Sequence, residues 1–366
     1  MIHDFTECGP DRVISGIGAL AELPGVLADM SVERALVLTG RTLAEKTDLV
    51  ARVETTLGAR HAGTFSGCAQ HVPESTVTAA VAAAREGRAD GIVVFGGGSP
   101  IDTAKMVVLK LKEAGEAPPR QIVIPTTLSA GEFTFAAGMT DEQTRIKHVH
   151  VDPAMQPEII LYDPELCRPT PPELWLTTGI KALDHAVEGL WWPDCHPLLE
   201  TLRLGAIADL TAHLARSRDP EALEDRLACQ HAAWKSIWGL LGAKKVGFRL
   251  SHPLGHQIGA RWDVPHGVTS CIALPAAARF LKDRTGPAQA KIAAAMGLPG
   301  ADGAAPAIEA FFDRLEIPRR LSDTTAKRDE IPLVAKAVAD ELAHLGAPDA
   351  DIATPEALAA LLDELW

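Results

Sequence analysis

Between residues 35 and 163, short unbroken apolar runs alternate with helix-length segments. Ala35-Leu36-Val37-Leu38 precedes a helical stretch over residues 43–57. A second stretch, 75–86, leads to Gly91-Ile92-Val93-Val94-Phe95, and a third, 100–114, leads to Gln121-Ile122-Val123-Ile124. A strand apolar throughout must be covered on both faces, and helices between successive strands make the sheet parallel. The N-terminal half therefore predicts an α/β domain with a parallel Rossmann-like sheet. Residues 146–152 and 158–163 read as two further strands forming a hairpin. Beyond Asp163 the apolar runs fade, and Arg168-Pro169-Thr170-Pro171-Pro172 is a stiff break. Helical patterns follow over 174–190, 196–215, 220–241, 287–295 and 332–345. The expected division is an α/β domain over 1–165 and an all-α domain over 166–366.

Composition narrows the function classes. At 47% hydrophobic and 23% charged residues the chain can bury a large core, so disorder is excluded. Thirty-five basic against 48 acidic residues leave a net charge of −13, which repels a nucleic-acid backbone, and a single tyrosine (Tyr162) offers little for base stacking. No run of about 18 apolar residues suggests a membrane span. The first residues lack a basic segment followed by an apolar one, and the six cysteines form no CxxC pair. Both features suit a cytoplasmic protein with reduced thiols.

Two glycine clusters are candidate phosphate cradles. Gly16-Ile17-Gly18-Ala19-Leu20-Ala21 fits G-x-G-x-x-A, but no Asp or Glu lies between residues 35 and 44 to hold a ribose. A plain turn explains it better. The second, Phe95-Gly96-Gly97-Gly98-Ser99-Pro100-Ile101-Asp102-Thr103-Ala104-Lys105, runs from a strand into a helix. Glycines allow close backbone approach, and a helix N-terminus presents free N–H groups to an anion. Ser99 is the expected cap, with Pro100 in the first turn. The next strand end, Pro125-Thr126-Thr127-Leu128-Ser129-Ala130-Gly131-Glu132, adds hydroxyls at the same sheet edge.

These two segments resemble the GGGSxxDxxK and PTTxxxGSE signatures of the iron-containing, group III alcohol dehydrogenase superfamily. The resemblance covers nearly the whole chain, and Cys68-Ala69-Gln70-His71-Val72-Pro73 looks like its maleylacetate reductase branch. It implies a dehydroquinate synthase-like architecture, a homodimer, and NADH or NADPH as the reductant. It further implies that Gly97, Gly98, Ser99 and Asp102 hold the pyrophosphate and nicotinamide end, with Thr126, Thr127 and Ser129 beside them. Gly131-Glu132 departs from the Ser-Glu of the signature. Where NAD-preferring members often carry an acid, this chain has Thr39-Gly40-Arg41, and Arg41 could pair with a 2′-phosphate.

Metal-dependent members read D-A-L-x-H-A-x-E on one helix, with two more histidines fourteen residues apart. Here the helix reads Lys181-Ala182-Leu183-Asp184-His185-Ala186-Val187-Glu188, and the distant pair is His252 and His266. His185, His252 and His266 thus match ligand positions, while His256 matches a further histidine nearby. The expected Asp is Lys181. An ammonium has no lone pair for a metal, and Asp184 lies about 100° around the helix from His185. A metal is therefore not expected, although three histidines can hold zinc. Lys181 either takes over the metal's electrostatic work or simply pairs with Asp184 or Glu188.

Lys245, Arg249, His252 and His256 fall at i, i+4, i+7 and i+11, which predicts one basic helix stripe that attracts an anionic substrate. The resemblance implies hydride transfer to the conjugated double bond of maleylacetate, giving 3-oxoadipate. Lys181 with His252 or His266 would stabilise the enolate oxygen, and His256 or His185 would supply a proton. Two alternatives differ in chemistry: a metal-dependent alcohol or aldehyde dehydrogenase, and a dehydroquinate synthase-like lyase. The Arg41 reading predicts that NADPH is accepted. Steady-state kinetics showing more than a hundredfold preference for NADH, about 2.7 kcal/mol, would contradict it.

Overall fold

The computed structural model describes residues 6, 9–144, 146–193, 195–241 and 247–366. Contacts divide it into an α/β unit, Cys8–Thr170 with Pro220–Gln230, and a helical unit containing Pro171–Asp219 and His231–Trp366. The strands are β1 (Arg12–Ser15), β2 (Ala35–Thr39), β3 (His61–Phe65), β4 (Gly91–Gly96), β5 (Arg120–Pro125), β6 (Ala136–Asp141), β7 (Ile146–Val151) and β8 (Ile159–Tyr162). The first helices are α1 (Leu23–Asp29), α2 (Arg41–Lys46), α3 (Leu49–Leu57), α4 (Glu74–Gly87) and α5 (Gly98–Glu113). Six strands form a parallel sheet in the order β1-β8-β5-β4-β2-β3.

The period-two rule sorts the apolar runs onto two layers. Val37, Val93, Phe95, Ile122 and Ile124 meet Leu23 and Leu27 of α1 and Val50 and Val53 of α3. Leu36, Leu38, Ile92, Val94 and Val123 meet Val77 and Ala80 of α4 and Ala104 and Val107 of α5 on the other face. The helix expected over 43–57 is broken in two. Thr47 is extended (φ −137°), its hydroxyl donates to Leu43 O at 2.6 Å, and the Leu49 N–H donates to Thr47 Oγ1 at 3.3 Å. One side chain thus ends α2 and opens α3.

The expected hairpin is also corrected. β7 alternates polar and apolar residues and pairs antiparallel with β6, whereas Ile159–Tyr162 is buried throughout and enters the main sheet between β1 and β5. Continuous apolarity marked β8 as an interior strand. β3 carries no apolar run and forms by pairing with β2 at the sheet edge.

In the helical unit lie α6 (Pro172–Trp191), α7 (Pro197–His213), α8 (Leu223–Ile237, whose start groups with the α/β unit), α9 (Ser251–Trp262), α10 (His266–Phe280), α11 (Lys282–Ala295), α12 (Ala305–Phe312), α13 (Ile331–His344) and α14 (Pro355–Glu364). α6 is buried almost continuously from Gly179 to Trp191 and packs on α7 and α10. Gly267 permits that approach, because a Cβ there would lie 2.8 Å from Thr177 O. Among the described residues, no helix is long and apolar enough to cross a membrane.

Asp163, fully buried just after β8, accepts the N–H groups of Gly18 (3.1 Å), Leu20 (3.0 Å) and Glu165 (3.1 Å). Asp163→Ala leaves three donors without their charged acceptor and should cost roughly 2–3 kcal/mol, read from the urea midpoint at constant m. An unchanged midpoint would refute this.

Candidate active site

Asp163 first decides between the glycine clusters. Its carboxylate consumes the N–H groups that the Gly16–Ala21 turn would offer an anion, so that turn is structural. In the second cluster, local packing accounts for two of the three glycines. Gly96 adopts φ +153° and a Cβ there would lie 2.8 Å from Pro100 Cγ, while a Cβ on Gly97 would lie 2.9 Å from Thr127 Cγ2. At Gly98 the nearest atom would be Ser129 Oγ at an ordinary 3.5 Å. Gly98 is therefore the glycine that internal packing leaves unexplained. It opens α5, whose N-cap is Gly97, and no side chain caps the helix. Ser99 lies within the first turn and is not the cap expected, so the leading N–H groups of a sixteen-residue helix face their partner without a side-chain competitor.

Around this turn, Thr39 is buried at the end of β2 and Arg41 is exposed at the start of α2, 3.8 Å from Glu45. Thr126 and Thr127 are buried, with the Thr127 hydroxyl 3.3 Å from Ser129 Oγ. Asp102 Oδ2 accepts the Gly138 N–H at 3.4 Å. Beneath them the last residues of the two signatures form a buried polar group to which no role had been given. Lys105 Nζ donates to Gly131 O (2.6 Å), Ala136 O (3.0 Å) and Thr134 Oγ1 (3.1 Å), tying the loop after β5 to α5 and β6. Tyr162 donates its hydroxyl to Glu132 Oε1 at 2.9 Å. Burial pushes the Lys105 ammonium down to about 8 and the Glu132 carboxyl up to about 7.

α6 carries a second cluster. Lys181, Asp184, His185 and Glu188 are all at most 6% exposed. Glu188 receives the N-terminus of α9: Oε1 accepts the Leu250 and Ser251 N–H groups, both at 2.7 Å, and Oε2 accepts that of His252 at 3.0 Å. The same Oε2 lies 2.6 Å from His252 Nδ1. Burial and Asp184 push Glu188 upward, whereas these three N–H groups favour its anion. A carboxylate so placed takes the hydrogen at Nδ1, leaving a lone pair at Nε2. His252 and His185 are both held well below the usual imidazole range, first by burial and then by the Lys181 charge. With Glu188 ionised, neutral His252 turns an accepting Nε2 toward the cluster, which suits a donor on a ligand and not the oxyanion role the sequence suggested.

Lys181 Nζ lies 3.8 Å from Asp184 Oδ2, which also accepts the hydroxyls of Ser270 (2.7 Å) and Ser251 (3.1 Å). Burial lowers the lysine, while Asp184 and Glu188 oppose the loss of its proton. Lys181 Nζ, Asp184 Oδ1, His185 Nδ1 and His252 Nε2 are all buried without a hydrogen-bond partner. Four such atoms are costly in the absence of a ligand. Asp184, Glu188 and His252 lie close enough to suggest a metal triad, but the donor set fits poorly. Glu188 is engaged by backbone N–H groups, and Asp184 faces the Nδ1 edge of His252 at 3.5 Å, away from Nε2. Lys181 brings a positive charge to the same place.

The histidines continue outward. His252 and His185 have ring centroids 5.1 Å apart, His252 and His266 5.9 Å, and His266 and His256 5.4 Å. His256 and His266 are exposed. The basic stripe is corrected: α9 begins at Ser251, so Arg249 precedes it, and Pro253 sits harmlessly in its first turn. Arg249 is 3% exposed, pairs with Asp349 through two nitrogens, and donates to Trp191 O. It braces the end of α6 and is not available to a substrate. Lys245 lies outside the described residues.

Sequence and structure comparisons agree on relatives. Residues 10–164 match the family described as iron-containing alcohol dehydrogenase, and residues 175–366 match the C-terminal domain of the Fe-containing alcohol dehydrogenase family. Maleylacetate reductase 2 of Cupriavidus pinatubonensis is 35% identical over 305 residues, 83% of this chain and 81% of that protein. Lactaldehyde reductase of Escherichia coli is 29% identical over 96% of this chain and 97% of its own. The crystal structure of maleylacetate reductase from Agrobacterium tumefaciens superposes with a TM-score of 0.87 at 27% identity, covering 100% of this chain and 99% of the other.

The Glu132 site carries a pH signature. With a carboxyl near 7 in the fold against 4.5 when exposed, the folded protein binds a proton that the unfolded chain releases between those values. Stability therefore falls as pH rises through that window. Glu132→Gln should flatten the slope of urea stability between pH 5 and 7; an identical slope in the variant would refute the assignment.

Proposed function

From the premise that the chain belongs to the iron-containing alcohol dehydrogenase family, we propose that it reduces an electron-poor double bond of a maleylacetate-like oxo acid, with Lys181 in place of a metal. The family makes it an NAD(P)H-dependent oxidoreductase. A bound reduced nicotinamide supplies the hydride. The residues that would hold it are the N-terminal turn of α5 at Gly97, Gly98 and Ser99, then Asp102, Thr126, Thr127 and Ser129, with Thr39 and Arg41 toward the adenosine end. The unforced glycine at 98 supports that assignment.

The observation that carries the metal-free reading is the buried ammonium of Lys181, which has no hydrogen bond and lies 3.8 Å from Asp184 Oδ2, beside His185 Nδ1 and His252 Nε2, likewise without hydrogen bonds. When hydride adds to a conjugated double bond, negative charge collects on the ketone oxygen. Lys181 is a donor aimed at that charge in a site shielded from water, which is where a fixed cation acts most strongly. Burial lowers the ammonium to about 8, Asp184 and Glu188 oppose that loss, and Ser251 and Ser270 hold Asp184 in place. His252 Nε2, an acceptor, suits a substrate hydroxyl or an ordered water.

The proximity of Asp184, Glu188 and His252 favours a second reading, a metal-dependent alcohol or aldehyde reductase. Consumption of NADPH with maleylacetate and with simple aldehydes, before and after exhaustive chelation, separates the two. The expected result is undiminished maleylacetate turnover after chelation. Lys181→Met should lower kcat/KM by about 100-fold or more, roughly 2.7 kcal/mol of lost oxyanion stabilisation. Near-parental turnover in that variant, or activity that returns only with iron or zinc, would overturn the proposal.

A further inference from the structure

We infer that Glu341 is a positioning residue for His256, and that this pair exchanges the reaction's proton with solvent. The inference rests on the reductase reading above and adds a residue to it. Glu341 stands on α13, 85 residues from His256. Its Oε1 lies 2.7 Å from His256 Nδ1, and its Oε2 accepts Gln257 Nε2 at 2.7 Å. Both oxygens are thus committed to consecutive residues of α9, which pins the carboxylate between two helices. A carboxylate against Nδ1 fixes the tautomer and leaves Nε2 as the exchanging atom.

His256 is suited to that exchange by its place in the histidine series. His185 and His252 are buried, so neither ring meets bulk water. The His256 side chain is 44% exposed, yet its ring stacks on His266 and meets His252 edge-on at 6.3 Å. It joins the cluster to solvent. The chemistry balances as follows. Hydride forms a C–H bond at the β-carbon, the C=C π bond breaks, and its electrons become the enolate held by Lys181. Solvent first protonates His256 at Nε2; the enolate then collapses to the ketone as that proton forms the C–H bond at the α-carbon, and the ring returns to its Nδ1–H form. Glu341 orients the ring throughout. One hydride and one proton saturate the double bond.

The test compares Glu341→Leu, Glu341→Gln, His256→Gln and the double variant His256→Gln/Glu341→Leu with the parent protein. Glu341→Leu should lower kcat by about 10- to 100-fold while KM for maleylacetate and NADPH stays within about twofold. Glu341→Gln should fall between, because an amide oxygen still accepts from Nδ1. The double variant should be no slower than His256→Gln, since Glu341 acts through the ring. Additive losses, or a lowered Tm and raised KM with kcat intact, would make Glu341 a mere brace between α9 and α13 and overturn the inference. A readout independent of turnover is the side-chain 15N spectrum of His256 at fixed pH, assigned by its absence in His256→Gln. The Nδ1–H tautomer should dominate in the parent and be lost in Glu341→Leu. The same tautomer in both would overturn the pairing even if the parent reduced no enone, whereas failure of the reductase reading alone would leave this difference in place.

Discussion

Glu188 closes the N-terminus of α9. Three backbone N–H groups and one imidazole converge on a carboxylate projecting from α6, a helix buried over most of its length. A helix entering an apolar interior must settle its leading donors, and a charged acceptor on a neighbouring helix does this more strongly than a neutral one. That one contact docks α9 on α6, sets the tautomer of His252, and brings it beside Lys181 and His185. Remove the carboxylate and the site loses its geometry before it loses any group that meets a substrate.

The charge arrangement follows. Two carboxylates and one ammonium lie buried within a few residues of α6, a combination that seldom stabilises a fold. Its cost is moderated by hydroxyls on Asp184 and backbone donors on Glu188. Lys181 Nζ, Asp184 Oδ1, His185 Nδ1 and His252 Nε2 are left buried without hydrogen-bond partners. Open polar atoms gathered in one buried cluster are costly unless a ligand meets them, and the ammonium is the member suited to negative charge. In the α/β unit, Asp163 closes one glycine turn internally, while the turn at the start of α5 has no side-chain cap.

The separation between what could be read along the chain and what could not follows the range of the interactions. Continuous apolar runs marked β2, β4, β5 and β8, because burial on both faces is a local compositional demand. The glycine turn at 96–98 and the residues of both signatures were legible for the same reason. β3 was not, since His61–Phe65 has no pattern of its own and becomes a strand only by lying beside β2. The break at Thr47 also escaped, as helical periodicity continues through it while one hydroxyl rewires two turns of backbone.

For the site, spacing along α6 sufficed to put Lys181, Asp184, His185 and Glu188 on one helix, while the family resemblance alone marked Lys181 as a base at an acid's position. No spacing rule reveals that Arg249 belongs to Asp349, one hundred residues later, or that Glu341 belongs to His256. The chain alone decided which chemical groups were present and which helix would carry them, because helix geometry is set by near neighbours. Which of those groups remain free was settled only when distant segments packed together, because a buried charge is claimed by whatever partner the fold brings within hydrogen-bonding distance.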